Sequence, residues 1–376
     1  MLSQCQKTVW IVQRLCLLQK HYNLLPGRYF ASGYHFSLYP NPNGSVPIMT
    51  VFGTVNGYFA KVYFNIETEK VINASYTAAS NGGIWISDNN KPVQLLTGIN
   101  NQYQGVSTSL TSKIIVSWGV KSPYSIYQSP VYSYSLDGGE SWSENVAPYY
   151  IQNMWISSSE DKFFAIMNNA LYQTSIKSTN WSLVLKPSVS PQTANILSAY
   201  NREKIVLWDS QNLYISNDEG KTWVTKSINL NIQSITIASD GVVYLKTSNQ
   251  IITVSNSNVI ETIRTPAVNI LGLTASSNGV VIYTNNSAYI RPDSTTKWEL
   301  LPVHGNIIQL YATPTNNEIF AQHDDGKIES IFGGGGQKNI PLPSEGFVFG
   351  VIRLAENKAV IAVSPSKIEI PIEGIN

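Results

Sequence analysis

His323, Asp324 and Asp325 stand in a row in AQHDDGKIES. An imidazole beside two carboxylates has the chemistry of metal ligation or proton transfer. The same stretch also reads as a hairpin with Asp-Gly at its tip. The four histidines, His21, His35, His304 and His323, form no ligand spacing, so no metal site is expected. Further carboxylates, Glu160, Asp161, Asp209, Glu318 and Glu345, lie in or between short apolar runs. Two of them facing each other across a pocket would suit glycoside hydrolysis. Asp209, in IVLWDSQN, follows the most apolar of these runs, although an aspartate in a tight hairpin ordinarily forms the turn. There is no G-x-S-x-G, no phosphate-binding glycine loop leading into a helix and no Cys/His pairing. The glycines at 333–336 have no lysine or helix behind them and read as a loose turn. No cofactor is expected.

Two other aspartates recur in a fixed setting, Asp137 in YSYSLDGGESW and Asp218 in LYISNDEGKTW. Ser135 and Ser216 leave a strand, and the aspartates can accept backbone N–H groups across a turn. Gly139 and Gly220 permit positive φ, and Trp142 and Trp223 return a large ring to the sheet. Fainter copies end at Gln94, Trp181, Thr262, Trp298 and Gln337, at spacings of 36 to 48 residues. Ahead of each box lies a strand pair, such as KIVLWD then NLYIS, with an apolar strand such as IQSITIA further upstream. Four strands per unit of about 40 residues is the size of a propeller blade. The chain therefore reads as all-β, a β-propeller of four-stranded blades. A last unit, 347–372, has three strands, and PIMTVF or HFSLYP from the N-terminal side could complete it. Counted this way there are eight blades, or seven if the first or last unit is a cap. Residues 47–376 are expected to be one propeller domain, and 1–46 an extension with a short helix.

The repeated motif resembles the Asp box, or BNR repeat, of the sialidase-like superfamily, which includes glycosidases, sorting receptors and non-catalytic assembly factors. The resemblance implies that the boxes are scaffold, in the turn between third and fourth strands, on the face opposite the catalytic pocket. It also implies that a catalytic member carries three arginines, a tyrosine with a glutamate, and an aspartate. Bidentate pairing with a substrate carboxylate explains the need for arginine. Here the arginines are Arg14, Arg28, Arg202, Arg264, Arg291 and Arg353. The first two precede the propeller, Arg264 and Arg291 read as lying near the box side, and no early strand carries Arg-Ile-Pro. A non-catalytic member is the expectation.

Charged residues are 13% of the chain and the formal net charge is +1, which gives no attraction to nucleic acid or anionic membrane. The two cysteines, Cys5 and Cys16, exclude a disulfide framework for the strand-rich body. The N-terminal apolar stretch is interrupted by Gln13 and Arg14, too short to span a membrane, and no transmembrane segment is expected elsewhere. An insertion, VKSPYSIYQSP, groups Tyr124 and Tyr127 with Tyr132 and Tyr134. Tyrosines on a loop suit recognition because they offer broad contact with little rotamer loss, so these four are the expected ligand or partner contacts. The reading is a structural or protein-interaction propeller, with a glycan-binding or glycoside-hydrolysing one as the alternative. A virion, a cell surface and the cytoplasm all remain open as its location.

Overall fold

A computed structural model describes residues 27–31, 34–40, 48–55, 58–65, 70–80, 83–88, 91–95, 101–121, 128–186 and 196–198. It further describes 203–333 apart from 210, 211, 229, 230, 249, 258, 268, 277, 294 and 314–317, then 340, 347–355, 358–364 and 366–371. The expected N-terminal helix and both cysteines lie outside the described residues. Two compact units are present, one of residues 1–80, 122–128 and 365–376, the other of 81–121 and 129–364.

The first unit holds one antiparallel sheet of six strands, in the order Gly27–Ala31, Tyr34–Pro40, Ile48–Val55, Tyr58–Asn65, Lys70–Ser80 and Ser366–Pro371. The second unit is a propeller of seven sheets. Blade 1 comprises Asn101–Thr108, Ile115–Lys121, Ser129–Ser135 and Ser143–Val146; blade 2 comprises Ile151–Ile156, Lys162–Met167, Ala170–Ser175 and Ser182–Leu185. Blade 3 comprises Ile196–Ser198, Ile205–Trp208, Asn212–Ser216 and Val224–Ser227; blade 4 comprises Ser234–Ile237, Val243–Lys246, Ile251–Val254 and Ile260–Ile263. Blade 5 comprises Gly272–Ser276, Gly279–Tyr283, Ala288–Pro292 and Glu299–Leu301; blade 6 has three described strands, Ile307–Thr313, Glu318–His323 and Ile328–Phe332. Blade 7 joins the two ends of the ring: Phe347–Ala355 and Lys358–Ser364 supply its inner strands, Gly83–Asp88 and Lys91–Leu95 its outer ones.

That seam corrects the expected count of eight. The first and last repeats are two halves of one blade, paired from Gly83↔Val363 to Asp88↔Lys358. Each strand has two hydrogen-bonding edges, so Lys358–Ser364, flanked by Phe347–Ala355 and Gly83–Asp88, has no edge left for another strand. The segments expected to close the ring, 47–52 and 35–40, pair with each other in the six-stranded sheet. Ser366–Pro371 pairs there with Lys70–Ser80 and is not a third strand of blade 7.

The second strands explain why this sequence makes blades. Successive side chains on a strand point to opposite faces, and both faces of a blade meet another blade, so these strands must be apolar without interruption. Phe163 faces blade 1 while Phe164 faces blade 3. Val206 and Leu207, Tyr244 and Leu245, Val280 and Val281, and Val360 and Ile361 divide in the same way. The last interface, between blades 7 and 1, packs Ile84, Val360 and Ala362 against Tyr103 and Ile115. Replacing the fully buried Ile84 by alanine is expected to destabilise the chain by about 2–5 kcal/mol through the cavity left at the seam. Alanine at Val224, which is 49% exposed on an outer strand, is expected to stay within about 0.5 kcal/mol of the parent; urea denaturation of both variants checks the contrast.

Candidate functional site

Because the strands of each blade run antiparallel from the centre outward, turns joining first to second and third to fourth strands share one face of the ring. Turns joining second to third strands, and the connections between blades, share the other. Hydrogen bonds within the first set follow this division: Gly138 N donates to Lys113 O at 2.8 Å and Glu219 N to Glu203 O at 2.8 Å.

The two strong boxes have the same internal hydrogen bonds. Ser135 Oγ donates to Asp137 Oδ1 at 2.7 Å and accepts Gly139 N at 2.8 Å, and Ser141 N donates to Asp137 Oδ1 at 2.9 Å. In the second box, Ser216 Oγ donates to Asp218 Oδ1 at 2.7 Å and accepts Gly220 N at 2.7 Å, and Thr222 N donates to Asp218 Oδ1 at 2.9 Å. Gly139 and Gly220 have φ of 92° and 83°, the left-handed region in which glycine is the ordinary residue. Trp142 and Trp223 donate their indole N–H groups to those glycines' carbonyls at 3.2 and 3.0 Å. The Ser141 hydroxyl holds the Asp137 carboxyl down at about 2, and Thr222 does the same for Asp218, with backbone N–H groups adding to each. The degenerate copy at Ser255 keeps the serine's part, accepting Val259 N at 3.0 Å.

The box tryptophans extend into the blade interfaces. Trp142 packs against the core between blades 7 and 1, Trp181 against that between 1 and 2, and Trp223 against that between 2 and 3. Acidic residues of box turns also reach the preceding blade, where Glu219 accepts Ser158 N at 2.6 Å and Asp293 accepts the Ser239 hydroxyl. In the two strong boxes, the serine, aspartate, glycine and tryptophan thus all have structural partners.

Five of the carboxylates offered by the sequence for catalysis, Asp209, Glu160, Asp161, Asp324 and Asp325, accept hydrogen bonds from neighbouring groups. Asp209 accepts Asn212 N at 2.7 Å and Tyr214 OH at 2.9 Å. Glu160 accepts the Thr111 hydroxyl at 2.9 Å and Asp161 the Ser157 hydroxyl at 3.0 Å. Asp324 accepts Asn306 Nδ2 at 2.8 Å, and Asp325 accepts Lys327 N at 3.0 Å. Glu318 is buried at the start of a second strand, and Glu345 lies outside the described residues. His323 is not joined to its two neighbouring aspartates; its ring contacts Asn306 O at 3.2 Å and Glu329 Oε1 at 3.1 Å. His304 Nδ1 meets the other oxygen of Glu329 at 3.3 Å, so this carboxylate ties the connection between blades 5 and 6 to the blade that follows. Among the described residues, no group of three His, Cys, Asp or Glu side chains is placed to hold a metal ion, and no helix is long and apolar enough to cross a membrane.

The four tyrosines expected to make contacts do not form one exposed group. Tyr124 and Tyr127 lie outside the described residues. Tyr132 is fully buried between blades 1 and 2, with its ring 5.7 Å from Trp181 and 6.0 Å from Phe163, and burial raises its phenol above the ordinary value. Tyr134 packs beside it, 5.5 Å from Phe163. Two residues apart on one strand, both rings point into the same interface. Tyr149 and Tyr150, by contrast, are exposed, at 45% and 50%, in the connection between blades 1 and 2. The signal available for them in the sequence is APYY, a tandem aromatic pair after a proline, directly following a fourth strand.

The chain matches no known family profile and no curated protein. Among solved structures it is similar to the β-propeller domain of Myceliophteria thermophila Cps50 (Swd1), at 13% identity and a TM-score of 0.44 over 82% of this chain and 100% of that one. It is also similar to the GH74 enzyme of Niastella koreensis, at 12% identity and a TM-score of 0.35 over 91% of this chain and 61% of that one. A chain of the mitotic checkpoint complex matches at 10% identity and a TM-score of 0.49, over 69% and 89% of the respective chains. The chain contains a seven-bladed β-propeller.

Two outcomes are expected from the box geometry. Ser216→Ala removes the acceptor for Gly220 N beside a buried strand end, and is expected to lower stability by about 1–3 kcal/mol in urea denaturation. The box carboxyls titrate below their ordinary value, so they stabilise the fold above pH of about 4, and that contribution is lost as the pH falls through about 4 toward about 2. A chain carrying Asp137→Asn and Asp218→Asn together is accordingly expected to lose less stability than the parent over that acid range, as read from unfolding midpoints.

Proposed function

We propose that this chain is a non-catalytic propeller serving as a structural or protein-interaction module. It engages its partner on the face that carries the second-to-third-strand turns and the connections between blades. The observation that carries this reading is the engagement of Asp209, Glu160, Asp161, Asp324 and Asp325 in hydrogen bonds, while Tyr149 and Tyr150 stand exposed on that face. Large exposed rings on a fixed backbone are the residues that dominate recognition surfaces. The two strong boxes support membership in the sialidase-like superfamily as a member without its catalytic residues. Low charge and abundant Asn, Ser, Thr and Tyr favour a place on a virion or cell surface.

The purified chain is expected to release no product from a panel of aryl glycosides and sialosides. Turnover that disappears in Asp209→Asn or Glu318→Gln would overturn the non-catalytic reading. A photo-crosslinking residue placed at Tyr150 is expected to trap a partner protein, and the same residue at Asn217 in a box turn is expected to trap none.

A further inference from the structure

We propose that Tyr149, Tyr150 and Tyr172, together with Gln104, Gln152 and Asn169, form a platform that binds an uncharged saccharide, free or carried on a protein. The proposal rests on the reading of this face as a recognition surface and specifies the chemistry it recognises.

The rings are held before any ligand arrives. Residues 147–150 connect blades 1 and 2, and both ends are anchored in one core cluster, by Ala147 at 4% exposure and Ile151 at 0%. Ala147 N also donates to Pro130 O at 2.9 Å. The Tyr149 ring leans on Tyr172, with centroids 5.9 Å apart and planes at 44°, and the Tyr150 hydroxyl accepts a hydrogen bond from Gln104 Nε2. On the blade 2 side, Asn168 and Asn169 adopt φ of 49° and 59°. That tight turn holds the Asn169 amide where Gln152 Nε2 donates to its Oδ1 at 3.5 Å. Rings fixed in this way lose little rotamer freedom when they are covered, which favours binding.

The polar groups select the ligand. A sugar ring has a C–H face, which lies well against tyrosine, and a rim of hydroxyls that each donate and accept. Gln104 and Gln152 each have one N–H engaged within the platform, which leaves a carbonyl acceptor and a further N–H to the ligand. A proline-rich segment, the other usual occupant of an aromatic surface, lacks N–H groups at its prolines and would leave those carbonyls without donors. An acidic sugar calls for a cation, whereas the platform's polar groups are amides and phenols, and Lys121 is paired with Glu144 at 2.9 Å. An uncharged saccharide meets every group present.

The test is an array of immobilised neutral and sialylated glycans probed with the full chain, its hits then titrated as free oligosaccharides alongside a proline-rich decapeptide. Neutral glycans are expected to bind, with affinity reduced about tenfold or more in Tyr149→Ala and in Tyr150→Ala and insensitive to added salt because no charge is involved. Both substitutions lie on an exposed connection, and unchanged urea midpoints will show that the variants are folded. Loss of binding to free oligosaccharides with retention of the immobilised forms assigns the ligand to carried glycans; equal binding assigns it to the sugar alone. Absence of binding by folded protein overturns the proposal, as does binding that survives both substitutions. Decapeptide binding that depends on Tyr150 replaces the saccharide with a peptide but leaves the recognition face standing. Hydrolysis of a bound glycan would overturn the non-catalytic reading while leaving the platform in place.

Discussion

The antiparallel ladder from Gly83↔Val363 to Asp88↔Lys358 is the interaction on which the ring depends. Every blade is apolar on both faces, so a row of blades always leaves two faces open to water unless the last meets the first. Here the meeting is made inside a sheet, by strands from distant parts of the chain, with backbone hydrogen bonds in addition to side-chain packing. Without it the clusters around Phe320 and Val351 and around Tyr103 and Ile84 would each lose one wall. The ladder also removes the free edge that Lys358–Ser364 would otherwise present, which is how closed β folds avoid pairing with other chains.

Once the ring is closed, the boxes stiffen its interfaces. In the two strong boxes, serine and aspartate lock a tight turn, glycine supplies the backbone conformation, and the tryptophan so positioned reaches the core shared with the neighbouring blade. Where the motif is degenerate the job is divided differently. Ser255 retains the turn bond to Val259 N; Lys204 of blade 3 crosses to Gly241 O and to Asn256 Oδ1, the latter at 2.8 Å; and Trp298 donates to Arg264 O at 3.0 Å. Asp137 and Asp218 are stabilised in their charged form by the turn's own donors, so their low proton affinity is a by-product of holding the backbone. A shifted carboxylate is often a sign of a catalytic site, but in these two turns the cause of the shift is visible and structural.

With one face occupied by these turns, the opposite one carries the second-to-third-strand turns and the connections between blades. The connection between blades 1 and 2, residues 147–150, starts at buried Ala147 and runs into buried Ile151, so a side chain placed on it is carried by a rigid frame. Tyr149 and Tyr150 are in that position. Their amide neighbours Gln104, Gln152 and Asn169 come from an inner strand of blade 1, an inner strand of blade 2 and a hairpin tip, three places that only the ring brings together.

The repeat and the strand-rich units were legible in the sequence, because each is a local matter of residue type and spacing. The uninterrupted apolar second strands likewise announce a sheet buried on both faces. Pairing partners were not legible: Gly83–Asp88 carries no mark that it belongs beside Lys358–Ser364, since a β ladder is made of backbone groups common to every residue, and so the count of blades was decided only by the closed ring. The same holds for the tyrosines. Tyr132 and Tyr134 look like contact residues in the linear chain and become core because the pleat turns both rings toward Phe163 and Trp181. Tyr149 and Tyr150 remain in water because their connection runs across the surface between two blades. Residue chemistry and periodicity come from the sequence alone, whereas which ring is covered depends on what the rest of the chain places above it.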